Sequence, residues 1–280
     1  MSLICKDKIK TLLAISTVLA AVFLLSGCQT EEKADTDTVA SEKTIVIGYD
    51  SFDPYSYQDV NGDMVGIDVE IARQAFGELG YEPVFRLINW EDKDAYLADG
   101  TIDCIWSCFT MTDREDKYQW AGPYMYSRQT VAVRDDSGIS ELSDLAGKRV
   151  AVQATTKAET VFLYAEEYGL PEVERVVSLS TTDEMFAILR KGYVDAIAGH
   201  EGLIGKIVND GTDTYRMLEK SIYMSELGVA FEKGTHQELS EQLTEVLETM
   251  KTDGSIGQIA EKYGLDAEKV IGGGGVENEK

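Results

Sequence analysis

Ala98-Asp99-Gly100-Thr101-Ile102-Asp103-Cys104-Ile105 and Arg190-Lys191-Gly192-Tyr193-Val194-Asp195-Ala196-Ile197 are two versions of one phrase. Each sets a glycine where a helix stops and an aspartate where a strand starts. Ahead of the first, 44–49 reads as a strand, and Ile67, Ile71, Ala72, Ala75 and Leu79 trace one helix face. A strand at 82–87 and a helix running to Gly100 follow, and the strand after the glycine spans 102–109. Ahead of the second phrase the order repeats: strand 149–153, helix 157–168, strand 173–178, helix 183–191, strand 194–198. Thr181 and Glu184 form a capping box at the start of that last helix. The alternation predicts an α/β fold with two equivalent lobes, each a mostly parallel sheet flanked by helices. After a strand at 227–231, two amphipathic helices within 237–263 suit a chain that returns to complete the first lobe.

The ends read differently. Lys6, Lys8 and Lys10 precede an apolar run from Leu12 to Leu25 that closes on Ser26-Gly27-Cys28. The run is about six residues short of a membrane-spanning helix, and small residues before a cysteine form a lipoprotein cleavage box. Residues 1–27 are therefore expected to be a signal peptide, with Cys28 acylated and the chain held on the outer face of the cell membrane. Residues 28–43 are polar and charged, a lipid-anchored disordered tether with a reach of about 20 Å. A glycine run and charged tail, 272–280, is expected to fray.

The chain carries 26 basic and 50 acidic residues, a formal charge of −24. Losing residues 1–27 leaves 23 and 49, or −26. So negative a protein is repelled by nucleic acid and by anionic lipid heads. Cys104 and Cys108 lie about 13 Å apart if 102–109 is one strand, beyond the reach of about 7 Å that a disulfide allows. Two buried thiols are expected. His200 and His236 are the two histidines in the sequence, too few for a histidine-rich metal site. Glycine-rich phosphate loops, His-Glu-x-x-His and nucleophile elbows do not occur, and no cofactor is expected.

Candidate ligand groups fall at the carboxyl ends of strands, where open α/β sheets bind solutes. Asp50-Ser51-Phe52-Asp53-Pro54-Tyr55 follows the first strand, and Trp90 opens the helix after the second. Phe52 and Trp90 are candidate walls of a slot, or core aromatics. Cys108, Thr110 and Arg114 come at and after the end of the 102–109 strand, and a guanidinium there is suited to bidentate capture of a carboxylate, or to a surface ion pair. Thr155 and Thr156 join a strand to a helix and offer backbone N–H groups to an anion, or a plain cap. His200 and Glu201 follow the 194–198 strand on the rim opposite Arg114, candidates to meet a ligand's ammonium group, or, for Glu201, a plain cap of the following helix.

Several phrases occur in order: Ile45-Val46-Ile47-Gly48-Tyr49-Asp50, Pro54-Tyr55, Gly62-x-x-x-Gly66-Ile67-Asp68, Gly100-Thr101-Ile102-Asp103, Arg114 nine residues before Pro123-Tyr124, Asp144-Leu145-Ala146-Gly147-Lys148, Gly192-Tyr193-Val194-Asp195 and Asp253-Gly254. In these the chain resembles the extracellular solute-binding proteins of polar amino acid ABC importers, a type II periplasmic binding protein fold, over 44–264. The resemblance implies a monomer in two lobes, 44–126 with 228–271 and 130–222, closing on a small amino-acid-like ligand through crossing strands near 126–131 and 222–228. It implies that Phe52 and Trp90 enclose the ligand, that Arg114 takes its carboxylate, that Thr110 and the Thr155-Thr156 turn assist, and that Asp50 lies where receptors for basic amino acids place an acid. It also implies delivery to a permease and ATPase complex. Two positions depart from the family pattern. His200 stands where an aspartate usually meets the ligand's ammonium group, and the loop before Arg114 is one residue short. An enzyme of the cyclohexadienyl dehydratase type on the same fold, or a solute-sensing surface lipoprotein without a transporter, are the rival readings.

Overall fold

Burial that begins at Ile45 and becomes continuous from Ile47 to Tyr49 makes Lys43–Tyr49 the strand on which the first half of the protein is built. The computed structural model describes residues 43–209, 211 and 214–272. The expected signal peptide, Cys28, nearly all of the tether, and the tail beyond Gly272 lie outside them. Among the described residues no helix is long and apolar enough to cross a membrane.

In chain order the strands are β1 (Lys43–Tyr49), β2 (Tyr57–Gln58), β3 (Met64–Val65), β4 (Tyr81–Leu87), β5 (Cys104–Ile105), β6 (Gln119–Arg134), β7 (Arg149–Gln153), β8 (Arg175–Leu179), β9 (Ala196–His200), β10 (Tyr215–Met217) and β11 (Tyr223–Phe231). The helices are α1 (Ile67–Glu78), α2 (Lys93–Ala98), α3 (Lys157–Leu163), α4 (Thr182–Arg190), α5 (Glu201–Val208), α6 (Gln237–Thr252), α7 (Ser255–Lys262) and α8 (Ala267–Gly272). The main sheet runs β4-β1-β5-β11-β6-β9-β7-β8, with β10 added to β6. β1 pairs in parallel with β4 and β5, and β7 in parallel with β8 and β9. The two parallel triplets are the repeated halves expected from the sequence. Between them, β6 and β11 pair antiparallel with each other, β11 continuing onto β5 and β6 onto β9. At one end of this pair Tyr126–Gln129 of β6 lies opposite Tyr223–Glu226 of β11, within the segments 126–131 and 222–228 where the crossing strands are expected.

Leu239, Leu243, Leu247 and Met250, spaced three or four apart, give α6 one buried face. Gln119 Nε2 donates to Ser240 Oγ at 2.9 Å and the Gly122 amide to Thr244 Oγ1 at 3.1 Å. Tyr263 accepts from the Gly66 amide at 3.1 Å, and Lys262 pairs with Glu70 at 2.6 Å. The C-terminal helices thus return to the first half.

Three sequence expectations are corrected. The strand expected over 102–109 is confined to Cys104–Ile105, because Cys108 takes a left-handed conformation (φ 48°) and its amide turns to Asp68. The helix expected over 157–168 stops at Leu163, and Ala165–Tyr168 continues as a 3₁₀ turn. The strand expected over 194–198 is shifted to Ala196–His200, because Asp195 is drawn off to Arg149, which meets it at 2.8 Å. Cys104 and Cys108 are buried free thiols.

Candidate functional site

The site assembles where β1, the loop after β5, the end of β7 and the end of β9 converge. Asp50 leaves β1 with its carbonyl oxygen accepting from Ser56 Oγ (3.1 Å) and Ser107 Oγ (3.3 Å). Its carboxylate accepts from the Ser51 amide at 2.8 Å and from Gln153 Nε2 at 2.5 Å. Burial raises the pKa of Asp50, and the charge of Asp183 adds to the rise. In the next turn the buried Phe52 ring sets its centroid 6.0 Å from that of His200, edge to face, and 5.9 Å from that of Tyr55. Trp90 begins a 3₁₀ turn, Trp90–Asp92, which Asn89 caps from the Glu91 amide. Its ring meets Phe109 edge-on at 5.3 Å, so Trp90 is at once a wall of the site and part of a cluster with Ile105, Phe109 and Tyr118.

The loop after β5 is held from below. Asp68, buried at the start of α1, accepts from the Cys108 amide at 2.6 Å and the Tyr124 hydroxyl at 2.7 Å. Burial pushes its pKa up to about 7. Thr110 donates from Oγ1 to Ser225 Oγ at 3.1 Å. Arg114 folds back over the Phe109 ring, its guanidinium carbon 5.3 Å from the centroid, and donates from Nη1 to the Thr110 carbonyl at 3.1 Å. From Nη2 it reaches the Thr155 carbonyl at 3.4 Å, across the site. Burial lowers its pKa. Among the described residues it has no carboxylate partner within ion-pair distance.

On the far side Thr156 caps α3, and Thr155 beside it takes φ 59°. Thr155 Oγ1 accepts from Lys93 Nζ at 2.8 Å. Lys93 is buried over the Trp90 ring, and burial lowers its pKa to about 8. Lys157 Nζ is paired with Asp113 at 2.5 Å and lies 4.2 Å from the Tyr223 ring centroid. The cavity so enclosed is lined by Asp50, Phe52, Trp90, Cys108, Thr110, Arg114, Thr156 and His200, together with Ser107, Phe109, Gln153 and Lys157. Its volume is about 20 Å³, room for a single water molecule. The bonds Asp50–Gln153, Lys93–Thr155 and Arg114–Thr155 draw the two sides together over it.

Two expectations change here. Because β9 runs on to His200, this residue ends a strand instead of standing on an open rim. Its Nδ1 lies 2.9 Å from Ser127 Oγ and its Nε2 2.9 Å from Gln129 Nε2. Burial, helped by the charge of Arg114, holds its pKa down at about 3. The neutral ring with Nδ1 as donor satisfies both contacts, so both nitrogens are engaged by the protein. Glu201, one residue on, begins α5 and points elsewhere: Arg128 grips it through Nε at 2.8 Å and through Nη2. Glu201 does not line the cavity, and Thr155 touches it only through its neighbours. Gln153 was read only as the strand end leading into the Thr155-Thr156 turn, and Lys93 and Lys157 escaped the sequence reading, since nothing in composition separates a buried lysine from a surface one. Their one signal was position, at a strand end or in the first turn of a helix facing the rim.

A buried neutral histidine makes stability pH-dependent. In the unfolded chain His200 protonates near pH 6.5, whereas in the fold it resists until about pH 3. Its contribution is therefore complete above pH 6.5 and is lost as pH falls from there. His200→Gln is expected to remove a loss of about 1 kcal/mol per pH unit below 6.5. Urea denaturation of both proteins at pH 7 and 5 checks this; parallel losses would contradict it.

A model of the bacterial extracellular solute-binding proteins, family 3, matches residues 45–266. The L-cystine-binding protein TcyJ of Escherichia coli is 28% identical over 259 residues, 89% of this chain and 94% of the relative. Among solved structures, a substrate-binding protein of an ABC uptake transporter from Streptococcus pneumoniae with bound histidine is 25% identical, with a TM-score of 0.74 over 81% of this chain and 95% of its own. The ancestral amino acid-binding protein AncCDT-1, described as a precursor of cyclohexadienyl dehydratase, is 27% identical, with a TM-score of 0.69 over 79% and 95%. The fold is that of the two-lobed type II periplasmic binding proteins. With a sheet of two parallel triplets joined by crossing strands, and a family match spanning most of its length, the chain belongs to the bacterial extracellular solute-binding proteins, family 3.

Proposed function

We propose that the protein captures an amino acid, or an amino-acid-like solute, between lobes formed by 44–126 with 228–271 and by 130–222, and passes it to the permease and ATPase of an ABC importer. The observation that carries this reading is Arg114, a half-buried guanidinium facing the cavity with no acid on it. A solute carboxylate completes it. Phe52 and Trp90 flank the solute, and Thr110, Thr156 and Cys108 border it. The cystine, histidine and amino acid ligands in the names of the relatives support the solute class. Binding requires the cross-cleft bonds to part and then close again over the solute, and the crossing strands are where that motion is absorbed. Cys28, acylated, keeps the monomer at the outer face of the membrane.

A thermal-shift screen of single amino acids, cystine included, tests this. At a hundredfold excess over Kd a ligand adds about 2.7 kcal/mol, which raises Tm by several degrees. The protein is then expected to return that solute chemically unchanged. A flat screen at millimolar concentrations would refute the capture reading. Turnover of prephenate or arogenate, a reading that the likeness to AncCDT-1 keeps in view, would replace it with an enzyme.

A further inference from the structure

Beside the tight cavity at Arg114 lies a larger chamber of about 470 Å³, the volume of a small-molecule pocket. Tyr126, Ser127 and Arg128 of β6 and Met224 of β11 border it. The first half of the protein adds Pro54, Tyr55 and residues of α8, and the second half adds α5 and Met217 of β10. The partition between the two spaces is thin. His200 lines the cavity and Ser127 the chamber, and the two meet at 2.9 Å. Phe52 lines the cavity and Tyr55 the chamber, with ring centroids 5.9 Å apart. Glu201, drawn away from the cavity by Arg128, borders the chamber with it.

The chamber combines an apolar surface with basic groups. Met217, Met224, Leu265 and Val270 supply the first. Arg128, Lys206 and Lys269 outnumber Glu201 and Asp266 on its wall, although the chain as a whole carries a formal charge of −24. Arg128 is held by Glu201, and Lys206 by Asp53 at 3.0 Å, whereas Lys269 has Asp266 only at 3.8 Å. An anion that is repelled by most of this surface therefore meets attraction here. The glycines of α5 point the same way. At Gly202 an added Cβ would fall 2.8 Å from the Tyr55 hydroxyl, which accounts for glycine. Gly205, also on the chamber wall, weakens the helix with no such reason, since the nearest atom to a Cβ there is Asn209 Nδ2 at 3.7 Å.

We infer that this chamber is a second binding site, one for an amphipathic carboxylate, with its carboxylate at Lys269 and its hydrocarbon against Met217, Met224 and Val270. Both halves and both crossing strands border the chamber, so an occupant holds them in the arrangement that closes the cavity at Arg114. Occupancy of either site then changes affinity at the other by the same factor. The site stands apart from the reading of Arg114 as a clamp, and only its coupling to the solute rests on that reading.

Sodium octanoate, and octyl glucoside as an uncharged molecule with a similar tail, are the probes, titrated calorimetrically into the full chain. Octanoate is expected to bind wild type and Arg114→Ala within about threefold of each other, and octyl glucoside to bind at least about tenfold more weakly. Gly205→Leu, which adds a side chain to the chamber wall, is expected to weaken octanoate at least about tenfold. Lys269→Glu, at an exposed position where the fold is not at stake, is expected to weaken it about threefold to tenfold. Saturating octanoate is expected to tighten the best amino acid of the thermal screen at least about threefold. Octanoate binding that disappears in Arg114→Ala, that survives both chamber variants or that octyl glucoside equals would each overturn the site, as would no binding at millimolar octanoate. An amino acid affinity unmoved by octanoate would overturn the coupling. Octanoate bound in the chamber while every amino acid fails to bind would uphold the site and remove the receptor reading instead.

Discussion

Arg114→Ala is expected to abolish solute binding and leave the protein folded. In the wild type the guanidinium is half-buried, stacked on Phe109 and aimed by the Thr110 carbonyl at 3.1 Å, so much of its cost of ordering is met before the solute arrives. Truncating it buries the solute carboxylate with no partner, a loss of about 3–5 kcal/mol or roughly two to four orders of magnitude in affinity. The fold tolerates the change because Arg114 has no acid among the described residues that would be stranded by its removal. Lysine at this position restores charge without the fork and is expected to recover only part of the affinity. Calorimetry with the best solute from the thermal screen, beside thermal melts of both proteins, measures the two halves of the claim. Affinity retained within about threefold would sink the assignment of the clamp.

Gly66→Ala is expected to be the most damaging single-methyl change in the first half. Gly66 has φ 128°, a conformation open to glycine, and precedes the first turn of α1. A Cβ there falls 2.2 Å from the Tyr55 carbonyl oxygen and 2.5 Å from its carbon, both backbone atoms. The neighbouring carbonyls of Pro54 and Tyr55 accept from the Ile67 and Asp68 amides at 3.0 and 2.9 Å, so the turn has no slack in which to retreat. Asp68 in the same turn pins the Cys108 loop, so the damage passes directly into the site. A loss of about 3–4 kcal/mol is expected in urea denaturation. By contrast, Gly77→Ala, within α1 with nothing near its added methyl, is expected to stabilise by about 0.5–1 kcal/mol. A Gly66→Ala loss below about 1 kcal/mol would refute this packing.

Much of the architecture was legible in the sequence because period and punctuation are local. Ile67, Ile71 and Ala72 face the core wherever α1 is placed, and the Thr181–Glu184 capping box forms as read. The strand at Arg149–Gln153 has the bounds read from the sequence, one polar residue on either side of its apolar run Val150–Val152. Candidate groups at strand ends were legible for the same reason, and Asp50, Phe52, Trp90, Cys108, Thr110, Arg114, Thr156 and His200 do meet around one cavity. What failed depended on partners far along the chain. The strand at 102–109 ended early because Asp68, forty residues back, claims the Cys108 amide.

The sequence by itself determined the repeated α/β halves, the helices that return to the first of them and the set of side chains available at the rim, since each follows from hydrophobic period and turn chemistry within a few residues. The tertiary structure decided what those side chains do. A two-residue shift of β9 turned His200 from a rim group into a buried neutral ring, Arg128 drew Glu201 away from the cavity, and Asp50 was left as the one acid on its wall. Charge and exposure are properties of surroundings assembled from distant segments, and no local pattern records them.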